Sequence, residues 1–373
     1  MTSQRLTILI LSRLYGGVSG GVERMSIALT NAMADRGHAV HLLSWDKADA
    51  TTFFPLDDRV TWHKLDMGDA NVRASLRLRL KRFKTMRRLV RQIEPDVAVG
   101  FQQGTFWNAL VGTLGRQIPV VAAERNSPNR FDHLKAGKKR DRLFQTFRLA
   151  TRITVQFPDY ADGYPPYLRD RIVAIENPVM LADGCAAPAG LSGDRKTLLS
   201  VGRLTYQKNP HLLIKAFSRI ADRHPDWTLR LVGNGEGEDE LRALVRCLGL
   251  EARVVFAGAV KDTSAQYRAA HLFCLASRFE GFPNAVAEAM AHGLPCVGYA
   301  DCAGMPQLIR DGETGVLAAG NGDPETLAAA LDRMMADDAG RASLGAQARA
   351  SMARYEPTLI FDRWEALFQS LAR

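Results

Sequence analysis

The sequence predicts an α/β chain of two similarly built halves, each a parallel sheet with helices on both faces. Three observations predict it. The chain has 373 residues, which points to two domains rather than one. Short apolar runs alternate with amphipathic helical patterns, as βαβ units do. The alternation lapses in the Ala-, Gly- and Pro-rich stretch ENPVMLADGCAAPAGLSGDRK, Glu176 to Lys196, and then restarts.

In the first half, RLTILIL reads as a buried strand that runs into the glycine-rich YGGVSGGVE. ERMSIALTNAMADRG is next, an amphipathic helix stopped by Gly37, and HAVHLLSW is the second strand. DVAVGF, PVVAAE and ITVQF continue the sheet. In the second half TLLSVGR, WTLRLVGNGEG, RVVFAGAV, HLFCLAS and PCVGYA read as strands, with helices between them such as PHLLIKAFSRIADRHP and DELRALVRCLGL. The expected division is 1–176, a linker at 177–196, a second domain at 197–355 and a helical tail at 356–373. Ligands of such sheets bind beyond the carboxyl ends of the strands, so two facing halves predict a cleft between them.

At 46% hydrophobic and 24% charged residues the chain can bury sizeable cores. Its apolar runs are too short to cross a bilayer, and its start lacks the pattern of a signal peptide. Five scattered cysteines without a C-x-x-C fit a reducing cytoplasm and argue against a zinc site or a disulfide framework. The net charge of +9 is uneven. Residues 1–177 carry 28 Lys/Arg against 17 Asp/Glu, and the remainder 21 against 23. The basicity belongs to the first half, which therefore faces something anionic.

The stretch RFEGFPNAVAEAMAHGLPCVG, Arg278 to Gly298, puts Glu280 in a loop and Glu288 among alanines. Pro283 and Asn284 mark a helix start, and Gly293 with Pro295 its stop. Ala285, Val286, Ala289 and Met290 are expected to face the core. Glu288 then lies ~6 Å along the axis from Asn284. A helix start attracts phosphate, and carboxylates accept hydrogen bonds from sugar hydroxyls. A sugar at Glu280, a diphosphate at the helix start and a ribose at Glu288 would explain both acids. A solvated loop acid and a helix-start acid would fit the same spacing. In SVGRLTYQKNP, Ser200 to Pro210, a strand end delivers Gly202 and Arg203, with Lys208 in the same loop. Two cations there suit a diphosphate and its departure; surface cations are the other reading. In YGGVSGGVER, the run of Gly16, Gly17, Gly20 and Gly21 permits close backbone approach to a ligand, but it is not a G-x-G-x-x-G dinucleotide fingerprint.

Taken in order along nearly the whole chain, these segments resemble the family-four retaining glycosyltransferases, which have the GT-B fold of two facing Rossmann-like domains. GGVERMSIALTNAMADRGHAV looks like their N-terminal glycine loop and helix, ENPV like their interdomain segment, and SVGRLTYQKNPHLLIKAF like their phosphate-binding segment. LVGNGEGEDELRALVRCLGLEARVVFAGAV looks like their nucleotide-side region, and EGFPNAVAEAMAHGLPCVG is their E-x7-E segment in full. LIRDGETGVL resembles the family's segment after that one. The resemblance implies a nucleotide-sugar donor, here expected to be UDP-linked, mainly on the C-terminal half and an acceptor on the N-terminal half. It makes Arg203 and Lys208 the diphosphate pair, Glu280 the acid beside the transferred sugar, and Glu288 the ribose acid. Gly202, Gly281, Phe282, Pro283 and Asn284 would contact sugar and phosphate, and Gly20 and Gly21 would approach the donor from the other domain. It also implies retention of anomeric configuration, no metal and no further cofactor, domain closure, and a tail helix that crosses back to the first domain.

Two positions depart from the family pattern. Arg125, in AAERNSP, stands about where many members have His, and Arg cannot accept a hydrogen bond. Glu124, Arg125 and Asn126 are therefore carried as acceptor or donor-sugar contacts. Gln307 stands where the family often has Glu.

NVRASLRLRLKRFKTMRRLVRQIEPD has nine Lys/Arg between Val72 and Ile93 and no acid there. Leu76, Leu80, Phe83, Met86, Leu89 and Val90 recur at helical spacing. Such a helix can lie on anionic lipid through Arg77, Arg79, Lys81, Arg82, Lys84, Arg87 and Arg88. A helix packed on the sheet with a solvated charged face is the alternative. HLKAGKKRDRLFQTFR adds a second basic stretch. No pattern supports nucleic-acid binding. The expectation is a glycosyltransferase, cytoplasmic and peripheral on the inner face of the plasma membrane, acting on a lipid-linked glycan or a lipopolysaccharide or exopolysaccharide acceptor. A GT-B epimerase or hydrolase, and a non-catalytic basic adaptor, are the other readings.

Overall fold

The structure is a computed structural model that describes residues 4–18, 20–68, 72, 75–133, 137–190, 195–320 and 322–372. It divides into two compact units, unit 1 (Met1–Pro178 with Thr358–Arg373) and unit 2 (Val179–Pro357).

Unit 1 runs β1 (Thr7–Leu11), α1 (Gly21–Asp35), β2 (Ala39–Ser44), β3 (Thr61–Lys64), α2 (Leu76–Ile93), β4 (Val97–Phe101), α3 (Gln102–Thr113), β5 (Val120–Ala123), α4 (Gly137–Phe147), β6 (Arg152–Val155), α5 (Pro166–Arg169) and β7 (Ile172–Ala174). Unit 2 runs β8 (Lys196–Val201), α6 (Pro210–Ser218), β9 (Trp227–Val232), α7 (Glu238–Cys247), β10 (Val254–Gly258), α8 (Thr263–Arg268), β11 (Leu272–Cys274), α9 (Asn284–Ala291), β12 (Cys296–Tyr299), α10 (Met305–Leu308), β13 (Gly315–Ala318), α11 (Pro324–Ala336) and α12 (Asp338–Ser351). The last helix, α13 (Pro357–Leu371), belongs to unit 1.

The unit 1 sheet has the order β3-β2-β1-β4-β5-β6-β7 and the unit 2 sheet β10-β9-β8-β11-β12-β13, with every strand pair parallel. A parallel sheet needs crossover helices that cover both faces, which is why β1, β4 and β5 read as unbroken apolar runs. In each sheet the order reverses beside the first strand of its unit, between β1 and β4 and between β8 and β11. Crossovers leave that point in opposite directions and open a crevice at the strands' carboxyl ends.

The helix α13 joins unit 1 through its apolar face. Ile360, Phe361, Trp364 and Phe368 enter one core with Tyr15, Leu29 and Phe101. Arg36 pairs with Asp362 at 2.7 Å and Glu365 at 3.0 Å, and Arg363 with Glu176 at 2.6 Å. The Ala- and Pro-rich stretch read as a linker is not a free tether where it is described. From Val179 it lies along unit 2: Val179 N–H donates to the Tyr355 carbonyl (2.8 Å), Ala186 N–H to that of His292 (2.8 Å), and Arg341 Nε to that of Pro188 (2.8 Å). A buried backbone needs hydrogen-bond partners, and the neighbouring helices of unit 2 provide them.

Candidate active site

At the reversal point of unit 2, two loops meet. The first leaves β8 through Gly202 and Arg203 and ends at Asn209, whose left-handed backbone (φ 52°) precedes Pro210 at the first turn of α6. The loop after β9 lies against its back. A Cβ at Gly233 would fall 2.1 Å from the Gly202 carbonyl oxygen, and one at Gly235 2.2 Å from that of Leu204, so only glycine fits. Leu204 N–H donates to the Asn234 carbonyl at 3.0 Å. Arg203 is exposed at this edge.

The second loop comes after β11. Arg278 N–H donates to the Gln207 carbonyl at 2.9 Å, and Gln207 Nε2 to the Phe279 carbonyl at 3.0 Å. The Arg278 guanidinium lies 4.3 Å over the Tyr206 ring and donates to Asn209 Oδ1 at 3.4 Å. These ties set the two loops in register, and Lys208 Nζ reaches Glu280 Oε1 at 2.6 Å. The pair is largely sheltered, with side-chain exposures of 20% and 6%. Gly281, Phe282 and Pro283 are buried, and the Phe282 ring meets Tyr355 edge-on at 5.7 Å. Cys302 is inert here, since burial, and then the nearby Glu280, push its thiol up.

The helix α9 starts at Asn284, and Val286, Ala289 and Met290 face the core with Ala287 and Ala291; Ala285 is only half-buried. Glu288 is held from the side: the Tyr267 hydroxyl donates to its Oε2 at 2.9 Å. Tyr267 stacks on His292 with 5.0 Å between centroids, and the His292 ring nitrogens lie 2.7 Å from the Glu288 carbonyl oxygen and 2.7 Å from Ser264 Oγ. Sequence reasoning missed Tyr267, His292 and Arg278. Arg278 stands at the head of the Glu280 loop, two residues before the acid, but Tyr267 carries no motif. The Gln307 carbonyl accepts from Arg354 Nη2 at 2.8 Å, which ties that turn to the end of unit 2.

In unit 1 the glycine-rich loop hangs on a buried carboxylate. Asp46 accepts from Tyr15 N–H and Gly16 N–H, each at 2.8 Å. Gly17 is left-handed (φ 67°), Gly20 caps α1 and Gly21 opens it. Beyond β5, Glu124 Oε1 accepts from Arg125 N–H (3.0 Å), Asn126 N–H (3.1 Å) and Asn126 Nδ2 (2.9 Å), so it fastens its own turn. Arg125, carried as an acceptor or donor-sugar contact, is buried and bonded within unit 1. Its Nη2 donates to Thr154 Oγ1 (2.7 Å), its Nη1 to the Ile175 carbonyl (3.2 Å), and its guanidinium lies 5.5 Å over Trp364. It ties β5 to β6, to the residue after β7 and to α13, and burial pushes it down to about 10.

Along α2 only Met86 and Val90 are buried, against Gly112 of α3. Leu76 and Leu80, which recur at helical spacing with them, are exposed. Arg77, Arg79, Lys81, Lys84 and Arg88 are exposed too, while Arg87 lies over Phe83 and Arg82 donates from Nε to the Met67 carbonyl at 2.9 Å. Arg73 lies outside the described residues. Among the described residues no helix is long and apolar enough to cross a membrane.

The comparisons with known proteins agree in kind. Residues 186–351 match the model for glycosyl transferases group 1, and residues 19–182 that for glycosyltransferase family 4. An uncharacterized glycosyltransferase of Haemophilus influenzae is 26% identical over 94% of this chain and 97% of its own length. A Campylobacter jejuni α-1,4-N-acetyl-D-galactosaminyltransferase, whose name specifies a GalNAc-containing, undecaprenol-diphosphate-linked acceptor, is 24% identical over 93% of this chain and 94% of its own. The solved structure of Anabaena HepE in complex with UDP and glucose superposes with a TM-score of 0.76 at 20% identity, covering 98% of this chain and all of that one.

Proposed function

This chain belongs to the group 1 glycosyltransferases, with their GT-B fold, and we propose that it moves a hexose or N-acetylhexosamine from a UDP-linked donor to a lipid-linked or cell-surface glycan with retention of configuration. The observation that carries this reading is the convergence at the reversal point of unit 2: Lys208 on Glu280 at 2.6 Å, with Glu288 one turn into the next helix. Lys208 and Arg203 would take up the charge of the departing diphosphate, aided by the positive end of the α9 dipole. Glu280 would orient the sugar, and Glu288 would accept from the ribose hydroxyls. With protein cations at the diphosphate, no metal or further cofactor is required. The leaving phosphate would take the proton of the attacking hydroxyl on the same face, unlike the two opposed carboxylates of glycosidases. The lipid-linked acceptor named for the Campylobacter relative and the UDP of the Anabaena complex support the choice of acceptor and donor. The exposed Leu76 and Leu80 beside the cations of α2 support residence at an anionic membrane surface.

The test is a thermal shift against UDP, GDP and ADP, with and without Mg. A rise with UDP alone, without metal and absent in Lys208→Ala, is expected. A rise with GDP moves the donor to the GDP-sugars. No response to any nucleotide sinks the reading. UDP release without a glycosylated product across many acceptors points to the hydrolase or epimerase.

A further inference from the structure

Tyr206 stands in the loop between β8 and α6, after Arg203 and two residues before Lys208. Leu204 and Asn209 of the same loop are buried, yet Tyr206 is 61% exposed, the most exposed aromatic side chain among the described residues. We propose that this ring is a platform on which a sugar of the acceptor stacks, so that unit 2 selects the acceptor as well as the donor; this rests on the transferase reading above.

The ring is fixed before any ligand arrives. The Arg278 guanidinium lies 4.3 Å from its centroid, so one face is covered by a cation. Arg278 is itself held, with its N–H on the Gln207 carbonyl (2.9 Å) and its Nη2 on Asn209 Oδ1 (3.4 Å). At 61% exposure the other face of the ring is bare, and the hydroxyl has no hydrogen-bond partner among the described residues. A tyrosine already pinned offers a flat face at little further entropic cost. That face matches the C–H face of a pyranose, and the phenol at its edge suits a sugar hydroxyl.

The place of the ring decides which sugar. The two loops touch in step: Tyr206 with Arg278, Gln207 Nε2 with the Phe279 carbonyl at 3.0 Å, and Lys208 with Glu280 at 2.6 Å. The second loop then runs on into α9 at Asn284. With the diphosphate at the start of α9 and the transferred sugar at Glu280, the next position in line is Tyr206. The saccharide whose hydroxyl attacks the transferred sugar has to come within reacting distance of it, and so belongs there. The nucleoside does not, because Glu288, the ribose acid, lies to the other side of Glu280 along the chain, one turn inside α9.

The test uses the full chain with UDP in excess. Saturation-transfer NMR is recorded with the methyl glycosides of glucose, galactose, mannose, N-acetylglucosamine and N-acetylgalactosamine, and UDP affinity is measured separately by calorimetry. At least one glycoside should receive saturation, strongest at the ring C–H protons of one face. Tyr206→Ala should weaken that glycoside about tenfold, and Tyr206→Phe, which keeps the flat face, less than threefold. Both variants should bind UDP as the unmodified chain does, which shows that the loop has kept its form. Saturation of no glycoside, or equal titrations for the unmodified chain and Tyr206→Ala, overturns the proposal. Loss of UDP affinity in Tyr206→Ala assigns the ring to the donor and overturns it too. UDP separates the two claims. If the unmodified chain binds no UDP, the transferase reading falls and the proposal with it; if it binds UDP and the glycosides are indifferent to Tyr206, the proposal falls alone.

Discussion

In unit 2 the loops after β8 and β11 are tied backbone to backbone, and a methyl added at Gly235 would fall 2.2 Å from the Leu204 carbonyl oxygen. At the matching point of unit 1 a cavity is walled by side chains from separate elements, and a methyl added at Gly104 meets nothing within 4 Å. The two units share a topology and differ in what they leave open. A diphosphate is the constant part of any nucleotide sugar, and a rigid backbone cradle with a few cations suits it. An open cavity can change what it holds by side-chain replacement without disturbing the sheet.

The sharpest break of this comparison is Lys208→Ala. If unit 2 carries the leaving-group electrostatics, turnover should fall ~10²–10³-fold with the fold intact, read from initial rates of UDP release. Neutralising Arg77, Lys81, Lys84 and Arg88 together should leave UDP binding unchanged. It should weaken flotation with anionic vesicles by two orders of magnitude or more, at ~1 kcal/mol per cation. Unchanged flotation would confine α2 to its packing role. Gly235→Ala should weaken UDP roughly tenfold and cost ~1–3 kcal/mol by denaturant unfolding, because backbone must move. Gly104→Ala, inside α3 with room to spare, should be neutral or gain up to ~1 kcal/mol. Equal costs at the two glycines would erase the contrast. Tyr267→Phe removes one hydroxyl from Glu288 and should weaken UDP about fivefold while leaving 2′-deoxy-UDP almost unaffected, a split that a packing defect would not produce.

The smallest expected effect concerns acid. His41 and His63 face each other across β2 and β3 with ring nitrogens 3.0 Å apart. Burial lowers both, and His41 lowers His63 further. As pH falls through about 6.5, the unfolded chain takes up these protons first. Their contribution to stability is therefore present above that pH and lost below it. Unit 1 should melt a few degrees lower at pH 5 than at pH 7.5, and His63→Asn should flatten the dependence.

Much of the candidate site in unit 2 was legible because it is local. Gly202 to Asn209 is one strand-to-helix turn, and Glu280 to Glu288 is one loop and one helical turn, so strand and helix periods alone carry those spacings. The alternation of elements was legible for the same reason, and so was the uneven charge. What the tertiary structure decided is everything that depends on neighbours distant in the chain. Lys208 meets Glu280 across 72 positions. Tyr267 reaches Glu288 only because α8 passes α9. No spacing in the sequence tells that Arg125 lies under Trp364, from the far end of the chain. Arg13, Trp45, Arg79 and Trp107 share a cavity, yet no spacing relates them. Hydrogen bonds from residue to residue along a helix or strand fix local form, whereas burial depends on which distant surfaces are brought together, and that is settled only when the sheet has ordered its strands.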